Sequence, residues 1–280
     1  MPELPEVETT RRGIQPYLTG RRVSEIVVRD RRLRWPVPAG LTEMVGQPID
    51  AIERRAKYLL FRTGCGTALW HLGMSGSLRL VPHDEPPRKH DHIDLVVEGD
   101  RRLRFHDPRR FGACLWTRRD PHAHKLLASL GPEPIDLVTL GAGQSVEVMD
   151  DARLFGLSRQ RRVAVKNFIM DAHVVVGVGN IYASEVLFLA GVRPTRAAGR
   201  VTRQEYTRIA ARIREVLGRA IEVGGTTLRD FVDPDGNPGY FRQSLHVYGR
   251  AGQSCGVCGS AVREKVIGQR NSFYCTTCQR

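Results

Sequence analysis

The chain has 280 residues, with 43 Lys and Arg against 30 Asp and Glu, a formal charge of +13 and 41% hydrophobic residues; that composition excludes wholesale disorder and allows two compact units with a small appendage. The excess charge is uneven, +3 over residues 1–150 and +10 over 151–280, and a basic field of this kind suits phosphate backbones or anionic lipid. No apolar run approaches the ~18 residues of a membrane span, and the acidic start is no signal peptide, so a soluble cytoplasmic protein is expected.

In chain order, Pro5-Glu6-Val7-Glu8 reads as a helix start, because Pro suits a first turn and carboxylates complement the positive end of the dipole. Val7, Ile14 and Leu18 share one face, and Gly20 closes the helix. From about Arg22 to Thr117 the period becomes two: Ile49 and Ala51, then Ala56, Tyr58 and Leu60, then Ile93, Leu95 and Val97. Glu98-Gly99-Asp100 turns the chain before Leu103 and Phe105. Short strands at this spacing indicate a β-sandwich or barrel. Pro121 to Leu130 reads as a short helix, and Gly131 to Asp151 as a connection between domains. Beyond it the period is helical. Asn180 is a candidate cap for a helix running to Gly191, and Thr202 with Glu205 makes a capping box for a longer one. Its apolar stripe is Tyr206, Ile209, Ala210, Ile213, Val216, Leu217, Ala220 and Ile221. Gly224 to Gly239, rich in Gly, Pro and Asp, reads as a mobile loop.

Cys255-x2-Cys258-x16-Cys275-x2-Cys278 has the spacing of a four-thiolate zinc site with every coordination position filled, hence one structural zinc ion. The alternative, two disulfides or a redox pair, suits a cytoplasmic chain poorly. Cys65 and Cys114 fall in strand-like segments and read as ordinary core cysteines. A small zinc ribbon buries little, so its task is to present a hairpin, and this one carries Arg263, Lys265 and Arg270. That favours nucleic acid over lipid, although any one of these arginines is equally a solvated side chain.

At the N-terminus, removal of the initiator Met leaves Pro2 with a free secondary amine titrating near ~7.7–8.0, well below a lysine. Such an amine attacks an aldehyde-like carbon to give an iminium ion, an electron sink for eliminations, and Glu3 beside it can relay a proton. Taken alone, the same residues are simply the beginning of a helix. Lys57 stands out because the chain holds only five lysines among 38 arginines, and Lys, unlike Arg, can give up and recover a proton. A buried ion pair is the other reading of that residue.

Seven segments occur in one order: Pro2-Glu3-Leu4-Pro5-Glu6-Val7-Glu8, Arg54-Arg55-Ala56-Lys57-Tyr58-Leu59, His71-Leu72-Gly73-Met74-Ser75-Gly76, Lys89-His90-Asp91-His92, Asp107-Pro108-Arg109-Arg110-Phe111-Gly112, Gly177-Val178-Gly179-Asn180-Ile181-Tyr182-Ala183, and the terminal cysteine pattern. With them the chain resembles the bacterial formamidopyrimidine-DNA glycosylases, base-excision repair enzymes for oxidised purines, from residue 2 to the C-terminus. The resemblance implies an α+β multidomain protein. Its parts are a catalytic β-sandwich with an N-terminal helix over residues 2–130, a linker over 131–157, a helix–two-turns–helix DNA-binding domain over 158–240, and a zinc finger over 241–280.

The same resemblance implies residue roles. Pro2 is the nucleophile at C1′, Glu3 protonates the sugar, Lys57 is the acid of β-elimination, and Arg270 serves δ-elimination and phosphate binding. The high pKa of a guanidinium suits Arg270 better to a bidentate phosphate grip than to acid catalysis. Met74, Arg109 and Phe111 fill the hole left by an extruded base, with Arg109 facing the orphaned partner. His90, Arg161 and Asn180 contact phosphates, Arg161 through an ambiguous alignment of Gln160-Arg161-Arg162. The implied partner is duplex DNA bearing oxidised bases or abasic sites, and the implied state is a monomer. Two features depart from the family pattern: the connection 134–158 lacks a clear motif, and Asn167 stands where many relatives carry Pro. The alternatives are an oxidised-pyrimidine enzyme resembling endonuclease VIII and a catalytically silent zinc-ribbon DNA-binding paralogue; intact Pro2, Glu3 and Lys57 argue against the second.

Overall fold

The computed structural model describes residues 2–136, 147–224 and 245–280, which fall into two compact units. The first unit covers residues 2–129, and the second covers 130–136, 147–223 and 245–280. Most of the loop read over 224–239, and the middle of the connection read over 134–158, lie outside the described residues.

In the first unit, helix α1 (Leu4–Leu18) follows Glu3 as its N-cap, with Pro5 in the first turn. It buries Val7, Ile14 and Leu18 on one face. Eight strands follow: β1 (Val23–Val28), β2 (Ala51–Arg55), β3 (Tyr58–Thr63), β4 (Gly66–His71), β5 (Ser77–Pro82), β6 (Asp91–Val97), β7 (Arg101–His106) and β8 (Ala113–Thr117). They form two four-stranded antiparallel sheets, ordered β1-β6-β7-β5 and β2-β3-β4-β8. Alternate residues of each sheet, such as Ile93, Leu95, Leu103 and Phe105 of one and Leu59, Phe61, Ala68 and Trp70 of the other, join α1 in a single core. This is the sandwich that the period of two foretells. Trp70 packs edge-on against Phe105 with ring centroids 5.5 Å apart.

Three local expectations are corrected. Lys57 is not in a strand: Ala56 and Lys57 form the turn between β2 and β3, with Ala56 at φ +54°. Cys65 likewise falls in the turn between β3 and β4, half-buried, while Cys114 is a buried core residue. Residues 121–130 hold only a 3-10 turn over Pro121–Ala123. His124 is extended at ψ 137°, and a segment burying little more than Pro121 and Leu127 has too narrow an apolar face to stabilise a helix.

The second unit contains α2 (Asp151–Ser158), α3 (Val165–Met170), α4 (Asn180–Leu189), α5 (Arg203–Glu222) and a hairpin of β9 (Arg263–Ile267) and β10 (Arg270–Tyr274). The Thr202–Glu205 capping box opens α5, and all eight residues of its predicted stripe are buried. All of them but Ile221 pack with Met149, Leu154, Phe168, Tyr182 and Val186, so part of the segment read as a connection contributes to this core. Asn180 is the first residue of α4 and not its cap; extended Gly179 caps the helix, leaving the Asn180 amide to bond elsewhere. Among the described residues no helix is long and apolar enough to cross a membrane. Sandwich, helical region and four-cysteine hairpin make up the expected α+β architecture.

Candidate functional site

In the first unit Pro2 is buried and Glu3 is 1% exposed. The Glu3 amide donates to Glu6 Oε2 at 2.8 Å, which fixes the chain direction entering α1. One turn on, Glu8 gathers three guanidinium groups: Arg11 at 2.8 Å, Arg12 at 2.8 Å and Arg54 at 3.1 Å. Burial pushes the Glu8 carboxyl up, but these three charges outweigh it and hold the group below its usual range. Arg54, at the end of β2, also donates to the carbonyl of Ala56 at 3.0 Å. A buried ion pair therefore ties the helix that begins at Pro2 and Glu3 to the turn that presents half-buried Lys57. His71, opposite Tyr58 across the β3–β4 pair, completes this region. Burial, then the Lys57 and Arg34 charges, push His71 down to about 4. It is thus neutral at pH 7, and its Nδ1 accepts the Gly73 amide at 3.0 Å.

Two neighbouring loops carry the side chains expected to fill a vacated base position, and a third carries His90. Met74 is half-buried; Arg109 is exposed, its guanidinium 4.8 Å from the ring centroid of Phe111, itself 45% exposed. Gly73 lies at φ +66°, and a Cβ there would come within 2.6 Å of the Phe111 carbonyl oxygen. These two loops therefore touch backbone to backbone, which explains why the motif demands glycine. His90, half-buried at φ +76°, precedes an irregularity in the β6–β7 pairing, a device that re-aims side chains at strand ends. Burial, then Lys89, His106, His92 and Arg110, lower the pKa of His90.

In the second unit, Lys166 is fully buried on α3 and donates to Asn180 Oδ1 at 2.6 Å, Ser272 Oγ at 2.6 Å and Asn271 O at 3.3 Å. Asn180 Nδ2 donates to Asn271 O at 3.0 Å. The start of α4 is therefore bonded to the hairpin strand that begins with exposed Arg270. Gly268 and Gln269, at φ +55° and +63°, make the two-residue turn that aims Arg270. Arg161 is exposed in the turn between α2 and α3, where its carbonyl accepts the Gly199 amide at 2.9 Å. Buried Glu185 on α4 accepts the amides of His246, Val247 and Tyr248 at 2.7, 3.0 and 2.8 Å, docking the finger's first residues.

The four cysteine sulfurs of Cys255, Cys258, Cys275 and Cys278 all lie within 4.8 Å of one another. The Cys258–Cys275 and Cys255–Cys278 separations are 3.4 and 3.9 Å. Those values are too long for disulfides at ~2.0 Å and match the edge, roughly 3.8 Å, of a tetrahedron with ~2.3 Å Zn–S bonds. The donor set thus fits one structural zinc ion. The Ser260 hydroxyl and amide also lower the Cys258 pKa, favouring the thiolate that a metal requires.

Known proteins match this arrangement over its whole length. Residues 1–114 match the formamidopyrimidine-DNA glycosylase N-terminal domain, 130–232 the H2TH domain of those enzymes, and 252–280 the zinc finger found in FPG and IleRS. The chain is 59% identical to the formamidopyrimidine-DNA glycosylase of Stutzerimonas stutzeri and 58% to that of Thioalkalivibrio sulfidiphilus, each over 100% of both chains. Among solved structures it is similar to the MutM (Fpg) protein of Thermus thermophilus, at 39% identity, TM-score 0.86 and coverage of 99% and 98%. It is also similar to Lactococcus lactis Fpg bound to abasic-site DNA, at 29% identity, TM-score 0.88 and full coverage of both chains. A mutant of that enzyme with Fapy-dG-containing DNA matches at 29% identity, TM-score 0.89 and full coverage. Sandwich, helical region and four-cysteine finger together define a DNA-repair glycosylase. The chain belongs to the formamidopyrimidine-DNA glycosylase family.

Proposed function

We propose that this enzyme, acting as a monomer on duplex DNA, excises oxidised purines such as 8-oxoguanine and formamidopyrimidines, then nicks the abasic site by β,δ-elimination through a Schiff base on Pro2. The observation that carries the reading is the link from the Pro2-Glu3 helix start through Glu8 and Arg54 to the Lys57 turn. It ties the helix that follows Pro2 and Glu3 to the turn that carries Lys57, which supports a shared role once loss of Met1 frees the Pro2 amine. In this reading residues 2–130 are the catalytic domain, 131–157 the linker, and 158–240 with 241–280 the DNA grip.

The secondary amine of Pro2 attacks C1′ of the extruded nucleotide; the damaged base leaves with a proton, and Glu3 protonates the ring oxygen as the sugar opens. The resulting iminium acidifies C2′; a base takes that proton, the C2′=C3′ double bond forms as the 3′ C–O bond breaks, and the 3′ phosphate departs with Lys57 as the acid at its leaving oxygen. A second elimination breaks the 5′ C–O bond beside a phosphate held by Arg270, and water releases the amine. Met74, Arg109 and Phe111 fill the vacated stack, while His90, Arg161 and Asn180 hold phosphates.

The test is borohydride trapping on a duplex containing 8-oxoguanine, with thymine glycol as the competing substrate. Wild type is expected to form a covalent adduct at residue 2, and Pro2→Gly to lose most of it. An undiminished adduct through another amine removes Pro2 from the mechanism, and preference for thymine glycol transfers the enzyme to the oxidised-pyrimidine class. No adduct with either lesion leaves a silent DNA-binding protein.

A further inference from the structure

Among the buried charges of the first unit that the mechanism above does not use is Asp107. Asp107 is 0% exposed, and an acid so placed needs a reason. As the first residue of an Asp-Pro turn it would need only local bonds, namely its carbonyl accepting the Arg110 amide at 3.3 Å and its carboxylate accepting the Arg109 amide at 3.3 Å. Its bonds reach much further. Oδ2 accepts the Gly112 amide at 2.7 Å, past Phe111. Oδ1 accepts the hydroxyl of Ser75 at 2.8 Å, next to Met74 on a different loop. The Asp107 amide donates to the carbonyl of His90 at 3.0 Å, and its own carbonyl accepts His92 Nε2 at 2.8 Å.

Resting on the proposed function, we infer that Asp107 is a positioning residue that sets Met74, Arg109 and Phe111 as one rigid unit in register with His90. The carboxylate and backbone of this one residue bind all three loops that present these side chains. Ser75 relays the link, since its oxygen also accepts the Arg109 amide at 3.3 Å. The inserted side chains are fixed relative to each other before DNA arrives, so little ordering entropy remains to be lost on insertion. An asparagine would keep one acceptor but turn donor hydrogens toward the Gly112 amide or the Ser75 hydroxyl.

The experiment measures excision of 8-oxoguanine opposite each of the four bases, alongside borohydride trapping on a single-stranded abasic oligonucleotide, which has no partner base and no void. For Asp107→Asn, excision from duplex is expected to fall on the order of tenfold to a hundredfold, the scale of a misplaced reacting geometry. The ratio between the best and worst opposite base should collapse toward one, with trapping on the single strand reduced far less. Ser75→Ala, which keeps the Gly112 bond, should lower the same ratio by a smaller factor and serves if Asp107→Asn does not fold. Equal losses on duplex and single strand would reduce Asp107 to a fold-stabilising role and overturn the inference. So would an unchanged ratio in a folded Asp107→Asn, or, where that variant does not fold, an unchanged ratio in Ser75→Ala. If wild type neither excises 8-oxoguanine nor traps, the reading of the enzyme fails first and takes the inference with it.

Discussion

Glu8→Gln probes the link between the nucleophile's helix and the Lys57 turn. The Glu8 carboxylate, 0% exposed, carries Arg11 and Arg54, which are 4% and 3% exposed, and Arg12, which is 50% exposed. Removing one partner of a buried pair costs about 3–5 kcal/mol, because the other charge stays buried. Glutamine retains one acceptor oxygen, which places the expected loss near the lower figure, about 3 kcal/mol. At roughly 2–4 °C per kcal/mol, that lowers Tm by about 6–12 °C. Arg12→Ala deletes only the solvent-side arm and should cost less than about 1 kcal/mol. Because the folded-state pKa of Glu8 is depressed, its contribution is present above the ordinary carboxylate pKa and disappears as pH falls through the folded value. Thermal unfolding scans between pH 3 and 7 should therefore show a wild-type acid loss that is smaller in Glu8→Gln. Since Arg54 then holds the Ala56 carbonyl less firmly, strand nicking should slow more than base release. Equal stabilities of Glu8→Gln and Arg12→Ala at pH 7, or an unchanged nicking-to-release ratio, would refute this reasoning.

Two further predictions concern the DNA grip. Chelating the zinc should unfold the finger, since its own cluster buries little beyond Val247, Val262, Phe273 and two of the cysteines; DNA affinity should drop at least tenfold, and unchanged affinity after verified metal loss contradicts the role of Arg270. His90 has a lowered pKa in the free protein, while a phosphate favours its protonated form. DNA binding should therefore take up a proton and tighten as pH falls through the usual histidine range, a dependence that fluorescence titration should find missing in His90→Asn.

The parts of this fold that repeat with a fixed period were legible in the sequence. The stripe of α5 and the alternation of β6 and β7 each report a face that meets a core, and the cysteine spacing reports a metal. Positions set by a single turn were less legible. Lys57 reads as strand because Ala56 and Tyr58 alternate correctly around it, yet the positive φ of Ala56 reverses the chain there. Asn180 reads as a cap because its residue type favours caps, but Lys166 and Asn271 occupy its amide. The residues that organise the site were the least visible. Glu8 reads as a dipole partner, and neither Asp107 nor Glu185 carries a signal of its own, since a buried carboxylate is defined by donors distant in sequence. Lys166 carries the signal that marks Lys57, since both are among only five lysines in the chain.

The basic excess also divides into two kinds once partners are assigned. Many arginines of the first unit are internal counterions: Arg104 is fully buried between Asp94 and Asp91, Arg29 and Arg102 share Asp94, and Arg11 and Arg54 share Glu8. Such side chains are already neutralised and cannot release condensed ions from DNA. The exposed arginines of the second unit include Arg161, Arg162, Arg263 and Arg270, none of which forms a described ion pair. Each phosphate neutralised contributes about −0.9 to the slope of log affinity against log salt. Charge removal at Arg161 or Arg270 should therefore flatten the slope by about one unit each, wherever that arginine contacts phosphate. Arg29→Gln should leave the slope unchanged while lowering stability. A flattened slope for Arg29→Gln would show that the internal ion pairs of the sandwich do not hold their arginines away from DNA, and the division between counterion and grip would fail.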